Sequence, residues 1–196
     1  MKMIFPTTPS ITLYDPLGDL LGAGDGHFTY SFVDAVKLAG HACPTVAGAF
    51  LLAKLAAERL FADAIPVRGE IRVTIPGPVG QGVNGPISQI FTLLTGAAAQ
   101  NGFHGLAGHY VRSGLLQFAE RPSADPFLFV RPATGQSVAL LYSTEAFPPA
   151  AAMGQLMPLV LSQQASPAQR EQFRTLWLQR VLAILADEGR STIRLL

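Results

Sequence analysis

Cys43 is the only cysteine in the 196-residue chain, and His41, one of four histidines, stands two residues before it. Both belong to Leu38-Ala39-Gly40-His41-Ala42-Cys43-Pro44, which ends where the longest apolar helix should begin. A thiolate and an imidazole are soft and borderline metal ligands, and a thiolate also attacks electrophiles. Thiols at helix starts are favoured as thiolates by unpaired N–H groups and the macrodipole. Zinc takes four ligands, so His41 and Cys43 need help. His104 and His109, on the glycine-containing segment Phe103-His-Gly-Leu-Ala-Gly-His109, are the further metal ligands expected, and His27 in the N-terminal stretch closes the pocket as a ligand-binding residue. All four histidines fall between residues 27 and 109.

Beside this group lies Pro76-Gly-Pro-Val-Gly-Gln-Gly-Val-Asn-Gly-Pro86. Gly80-Gln-Gly82-Val-Asn-Gly85 matches the glycine spacing of a dinucleotide loop, but Pro76–Val79 separates it from the strand before it. The first acidic residue afterwards, Glu120, is also far beyond the roughly 20-residue spacing of a ribose-binding carboxylate. The loop reads instead as an anion-tolerant turn, with Gly82 and Asn84 lining the same pocket. Ser113 lies in an expected strand with no base to pair with, and no carboxylate pair suggests glycoside hydrolysis.

These residues need a scaffold. Residues 1–28 are rich in Pro, Thr, Gly and Asp and predict an irregular arm. Thr29 or Ser31 caps a helix through Leu38, and Gly40 ends it. Residues 45–62, opened by Pro44, predict a buried helix apolar on nearly every face. Residues 69–75 alternate as a strand, and a second helix runs from Pro86 to Asn101-Gly102. The runs 110–118, 127–131 and 137–143, joined by short turn-rich connections, predict an antiparallel meander. Residues 149–164 predict a helix that Pro158 kinks or breaks, and Ser166-Pro-Ala-Gln169 opens a C-terminal helix over 166–188 with a capping box. The whole is expected as one α+β domain over 1–196, an antiparallel sheet covered by two long helices with an additional C-terminal helix.

Composition sets the outer limits. Net charge is +1 with basic residues scattered, which argues against nucleic acid as a partner. No apolar run approaches the roughly 20 residues of a membrane span, and the opening Met-Lys-Met-Ile-Phe-Pro lacks a signal-peptide core, so the cytoplasm is expected. Hydrophobic residues make up 49% and charged residues only 14% of the chain, which favours a homodimer that covers apolar surface.

Asp34-Ala-Val-Lys-Leu-Ala-Gly-His41-Ala-Cys43-Pro44 resembles the His-Gly-His-x-Cys-Pro-Gly signature that opens a long helix in the formylmethanofuran dehydrogenase E-like family, which includes stand-alone bacterial members. Gly85-Pro-Ile-Ser-Gln89-Ile-Phe-Thr-Leu-Leu-Thr95-Gly96 resembles that family's next helix, which contains Asp-Ala-Ile-Gln, and adds Gln89 to the ligand-binding set. The resemblance spans residues 34–110. Ala39 stands where the signature has its first histidine and Thr45 where it has its last glycine. The family's cysteine and aspartate before the second helix have no counterpart near Val83–Pro86, and Ala97 and Ala98 replace a cysteine and a threonine. The resemblance implies a dimeric α+β domain with a site for zinc, another divalent transition metal or a small ligand at His41 and Cys43, without molybdenum or tungsten chemistry. Two other functions are open: a non-enzymatic oligomeric partner with a degenerate or structural site, and a metal-free thiol enzyme using Cys43.

Overall fold

A computed structural model describes residue 5 and residues 8–62, 64–122 and 124–196. The arm expected over 1–28 begins at residues 1–4, 6 and 7, which lie outside the described residues. Further on, the arm is regular rather than irregular. Strand β1 (Ser10–Tyr14) buries Ile11 and Leu13 on alternate positions and pairs antiparallel with β2 (His27–Ser31). The short helix α1 (Pro16–Leu20) lies between them, with Asp15 accepting from the Leu17 and Gly18 amides. The turn residues that suggest a loop serve its glycine tip. At Gly26, with φ of 75°, a Cβ would lie 2.8 Å from the Asp15 carbonyl.

Helix α2 (Phe32–Ala39) starts with a capping box between Ser31 and Asp34 and stops at left-handed Gly40. Helix α3 (Pro44–Phe61) is buried continuously from Val46 to Ala53, as an all-round apolar helix must be. Strand β3 (Arg72–Pro76), helix α4 (Asn84–Thr95) and strand β4 (Leu116–Ala119) follow. Then come β5 (Phe127–Arg131), β6 (Gln136–Tyr142), α5 (Met153–Leu161) with Pro158 inside it, α6 (Pro167–Asp187) and β7 (Ile193–Leu195).

The chain is of the α+β class. Its larger sheet has the order β4-β3-β5-β6-β7 and is mixed, because β3 and β4 run parallel while the other neighbours are antiparallel. This corrects the expected meander. Parallel neighbours need a long crossover, and residues 77–115, including α4, provide one. Consequently β3 lies between β4 and β5. Helix α3 contacts β5, β6, α2, α4 and α6, and α4 contacts β3. The aromatic centre is Phe91 against Phe129, edge to face at 5.1 Å. No helix among the described residues is long and apolar enough to cross a membrane.

Candidate functional site

The turn at Gly40 sends the chain out of α2, with the Gly40 amide bonded to the Val36 carbonyl at 2.8 Å. His41 follows on the surface, its Nδ1 2.9 Å from the Ala39 carbonyl. A carbonyl only accepts, so Nδ1 is the donor in this contact. Cys43 is extended at the N-cap of α3. Its Sγ accepts from the Val46 amide at 3.4 Å, while Pro44 occupies the first helical position. The thiol thus takes the place of the usual hydroxyl or carboxylate cap.

His41, Cys43, Pro44 and Thr45 form one wall of a cavity of about 540 Å³, and Tyr142, Thr144, Trp177 and Arg180 form the other. The two walls are tied across the motif. Trp177 Nε1 donates to the Ala42 carbonyl at 2.7 Å, and the Tyr142 hydroxyl donates to the Pro44 carbonyl at 2.7 Å. Burial pushes the Tyr142 phenol well above its ordinary value, with Arg180 opposing, so it stays a neutral donor. Arg180 is held by its Nε on the Phe147 carbonyl at 2.7 Å and its Nη2 on Thr144 Oγ1 at 3.2 Å. Among the described residues no carboxylate pairs with it. The cavity therefore combines a thiol, an imidazole, two threonines and a guanidinium with no carboxylate partner among the described residues.

The expected constellation is not assembled. His104 and His109 do not line this cavity. His109 closes a tight turn by exchanging backbone bonds with Leu106, on the loop leading to Tyr110. The glycines of that segment serve the turn, and α4 ends at Gly96 rather than at Asn101-Gly102, so the loop starts earlier than the spacing suggests. His27 lies on β2, its Nδ1 3.1 Å from the Asp25 carbonyl and its ring tilted on Tyr14. Gly82 is exposed in the loop before α4. Asn84 is buried and ties that loop down, its Nδ2 donating to the Pro76 and Pro78 carbonyls. Gln89 lines a separate cavity of about 270 Å³ with Leu38, Ser88, Thr92 and Asn101.

Among the described residues no group of three or more His, Cys, Asp and Glu side chains is placed to hold a metal ion. His41 and Cys43 are two donors where a structural zinc site takes four and a catalytic one three.

Tyr142, Thr144, Trp177 and Arg180 belong to no motif that sequence reasoning recognises. One signal exists, since Trp177 and Arg180 are three apart and share a face of α6. No family model matches the chain, and neither the curated proteins nor the solved structures yield a match.

Proposed function

We propose that the chain is a divergent formylmethanofuran dehydrogenase E-like protein whose His41–Cys43 cavity binds a small anionic molecule against the Cys43 thiol. The observation that carries this reading is Arg180, a guanidinium without a carboxylate partner among the described residues, in the cavity that Cys43 also lines. Its remaining N–H donors are available to a carboxylate or phosphate, and the amides at the start of α3 favour the same charge. Thr45 and Thr144 supply neutral hydroxyls for the rest of such a ligand. Contacts of α3 with β5 and β6, and of α4 with β3, support a fold reading in which these two long helices cover the sheet. Homodimerisation and a cytoplasmic setting belong to the same proposal.

Because Cys43 is the sole cysteine, alkylation read by mass reports on this site alone. Inorganic phosphate or acetate, at constant ionic strength, is expected to slow iodoacetamide labelling in a saturable way, and Arg180→Gln to remove the protection. Labelling indifferent to both anions would refute the anion site. Elemental analysis of natively purified protein separates this from the zinc reading: stoichiometric zinc lost in Cys43→Ser would make a metal the occupant.

A further inference from the structure

A second polar site lies 53 and 97 residues along the chain from its anchor. Asp15 receives Arg68 Nη1 at 2.6 Å on one oxygen and Arg112 Nη2 at 2.7 Å on the other. The remaining Arg68 nitrogens are engaged, Nε with the Leu94 carbonyl and Nη2 with that of Leu93, both at 3.0 Å. Arg112 differs. Its side chain is only 9% exposed, and its buried Nη1 has no hydrogen-bond partner among the described residues. A buried guanidinium nitrogen left unpaired loses its hydration without recompense, at a cost larger than for a neutral group.

Two glycines make the room that this nitrogen occupies. A Cβ at Gly69 would lie 2.0 Å from Arg112 Nη1, and one at Gly96 would lie 2.8 Å from it, both at left-handed positions. Arg112 and Gly69 are also walls of a cavity of about 180 Å³, lined further by Pro16, Arg68, Glu70, Tyr110 and Val111. At about 30 Å³ per water, that is room for several waters or one small oxyanion. The charges favour the oxyanion. Two guanidiniums share one carboxylate, and Glu70 is already engaged by Arg131 at 3.2 Å. Burial pulls the Arg112 guanidinium below its ordinary value, with Asp15 opposing and the Arg68 charge adding to the pull. A second anion would relieve this electrostatic excess.

We propose that the cavity between Arg112, Arg68 and Tyr110 binds a small oxyanion, a carboxylate or a phosphate group, which accepts from Arg112 Nη1. Uniformly ¹³C,¹⁵N-labelled full-length protein, with the Arg112 guanidinium resonances assigned through its side-chain carbons, is titrated separately with phosphate and acetate against sodium chloride at equal ionic strength. The expected result is a saturable shift of the Arg112 Nη resonances with one or both anions, accompanied by a rise in Tm. Saturation by phosphate alone assigns a phosphate group, and saturation by acetate alone assigns a carboxylate. The response should persist in Arg180→Gln, which lies in the other cavity, and the anion-dependent rise in Tm should disappear in Arg112→Lys. Arg112 resonances that do not move, or move only linearly and equally with chloride, overturn the proposal. So does a saturable response abolished by Arg180→Gln. The wild-type titration decides the matter even if Arg112→Lys does not fold.

Discussion

At the scale of single residues, the motif is held by two carbonyls. Ala42 and Pro44, on either side of Cys43, each receive one side-chain bond from across the cavity, from Trp177 and Tyr142. Trp177→Phe keeps a ring to stack on Phe173, 5.7 Å away, but leaves the Ala42 carbonyl without its donor. The expected loss is about 1 kcal/mol, measured by urea unfolding. Carboxylates set the acid limb. Bonds from Ser191 and Thr192 overcome the effect of burial and hold the Asp187 carboxyl below its ordinary value, and Asp34 is lowered by the Ser31 amide. Both contributions are fully present above the unfolded pKa of about 3.9 and are lost as pH falls through the lower native values. Thermal scans should therefore show Asp187→Asn less stable than wild type at neutral pH, with the gap narrowing on acidification below about pH 4. A gap independent of pH would count against that assignment. His41 and Cys43 are legible as a pair because they are sequence neighbours, whereas Arg180 joins their cavity from a helix far along the chain.

At the scale of elements, Gly48 couples the site to the sheet. A glycine inside a helix costs about 1 kcal/mol relative to alanine, so α3 alone would gain from Gly48→Ala. Here a Cβ would lie 2.2 Å from Cζ of Tyr142, the same ring that bonds Pro44. Overpacking of this kind costs typically about 1–3 kcal/mol, and the variant is expected to be destabilised. A double-mutant cycle with Tyr142→Leu should show strong coupling, and simple additivity would mean that the ring moves aside freely. Helices are readable wherever their ends carry local chemistry: Ser31 with Asp34, Pro44, and Ser166 with Gln169. Strand partners are not. Nothing local to 116–119 says that it pairs with 72–76 rather than 127–131, because the choice is made by how α4 returns the chain along β3. Strands β1 and β2 are hidden by turn residues that belong to the tip joining them.

At the scale of the whole molecule, apolar surface is conspicuous. Leu20, Leu21, Leu161 and Leu196 are each more than half exposed, on a chain with 14% charged residues. Light scattering over micromolar concentrations is expected to give the mass of a dimer, and a strictly monomeric species would refute that expectation. The two polar cavities are separate places in this fold, one between α3, β6 and α6, the other between α1 and the loops at residues 68–70 and 110–112. The claim on which the functional reading turns is that the Cys43 cavity selects negative charge. Its most direct test is the ratio of Cys43 alkylation rates with iodoacetate and with iodoacetamide, two electrophiles of similar size but different charge, normalised to the same ratio for a free small thiol. The normalised ratio should exceed one by about tenfold, equivalent to ~1.4 kcal/mol for one charge-assisted contact, and should fall toward one in Arg180→Gln. A normalised ratio of one or less in the wild-type protein would contradict the reading.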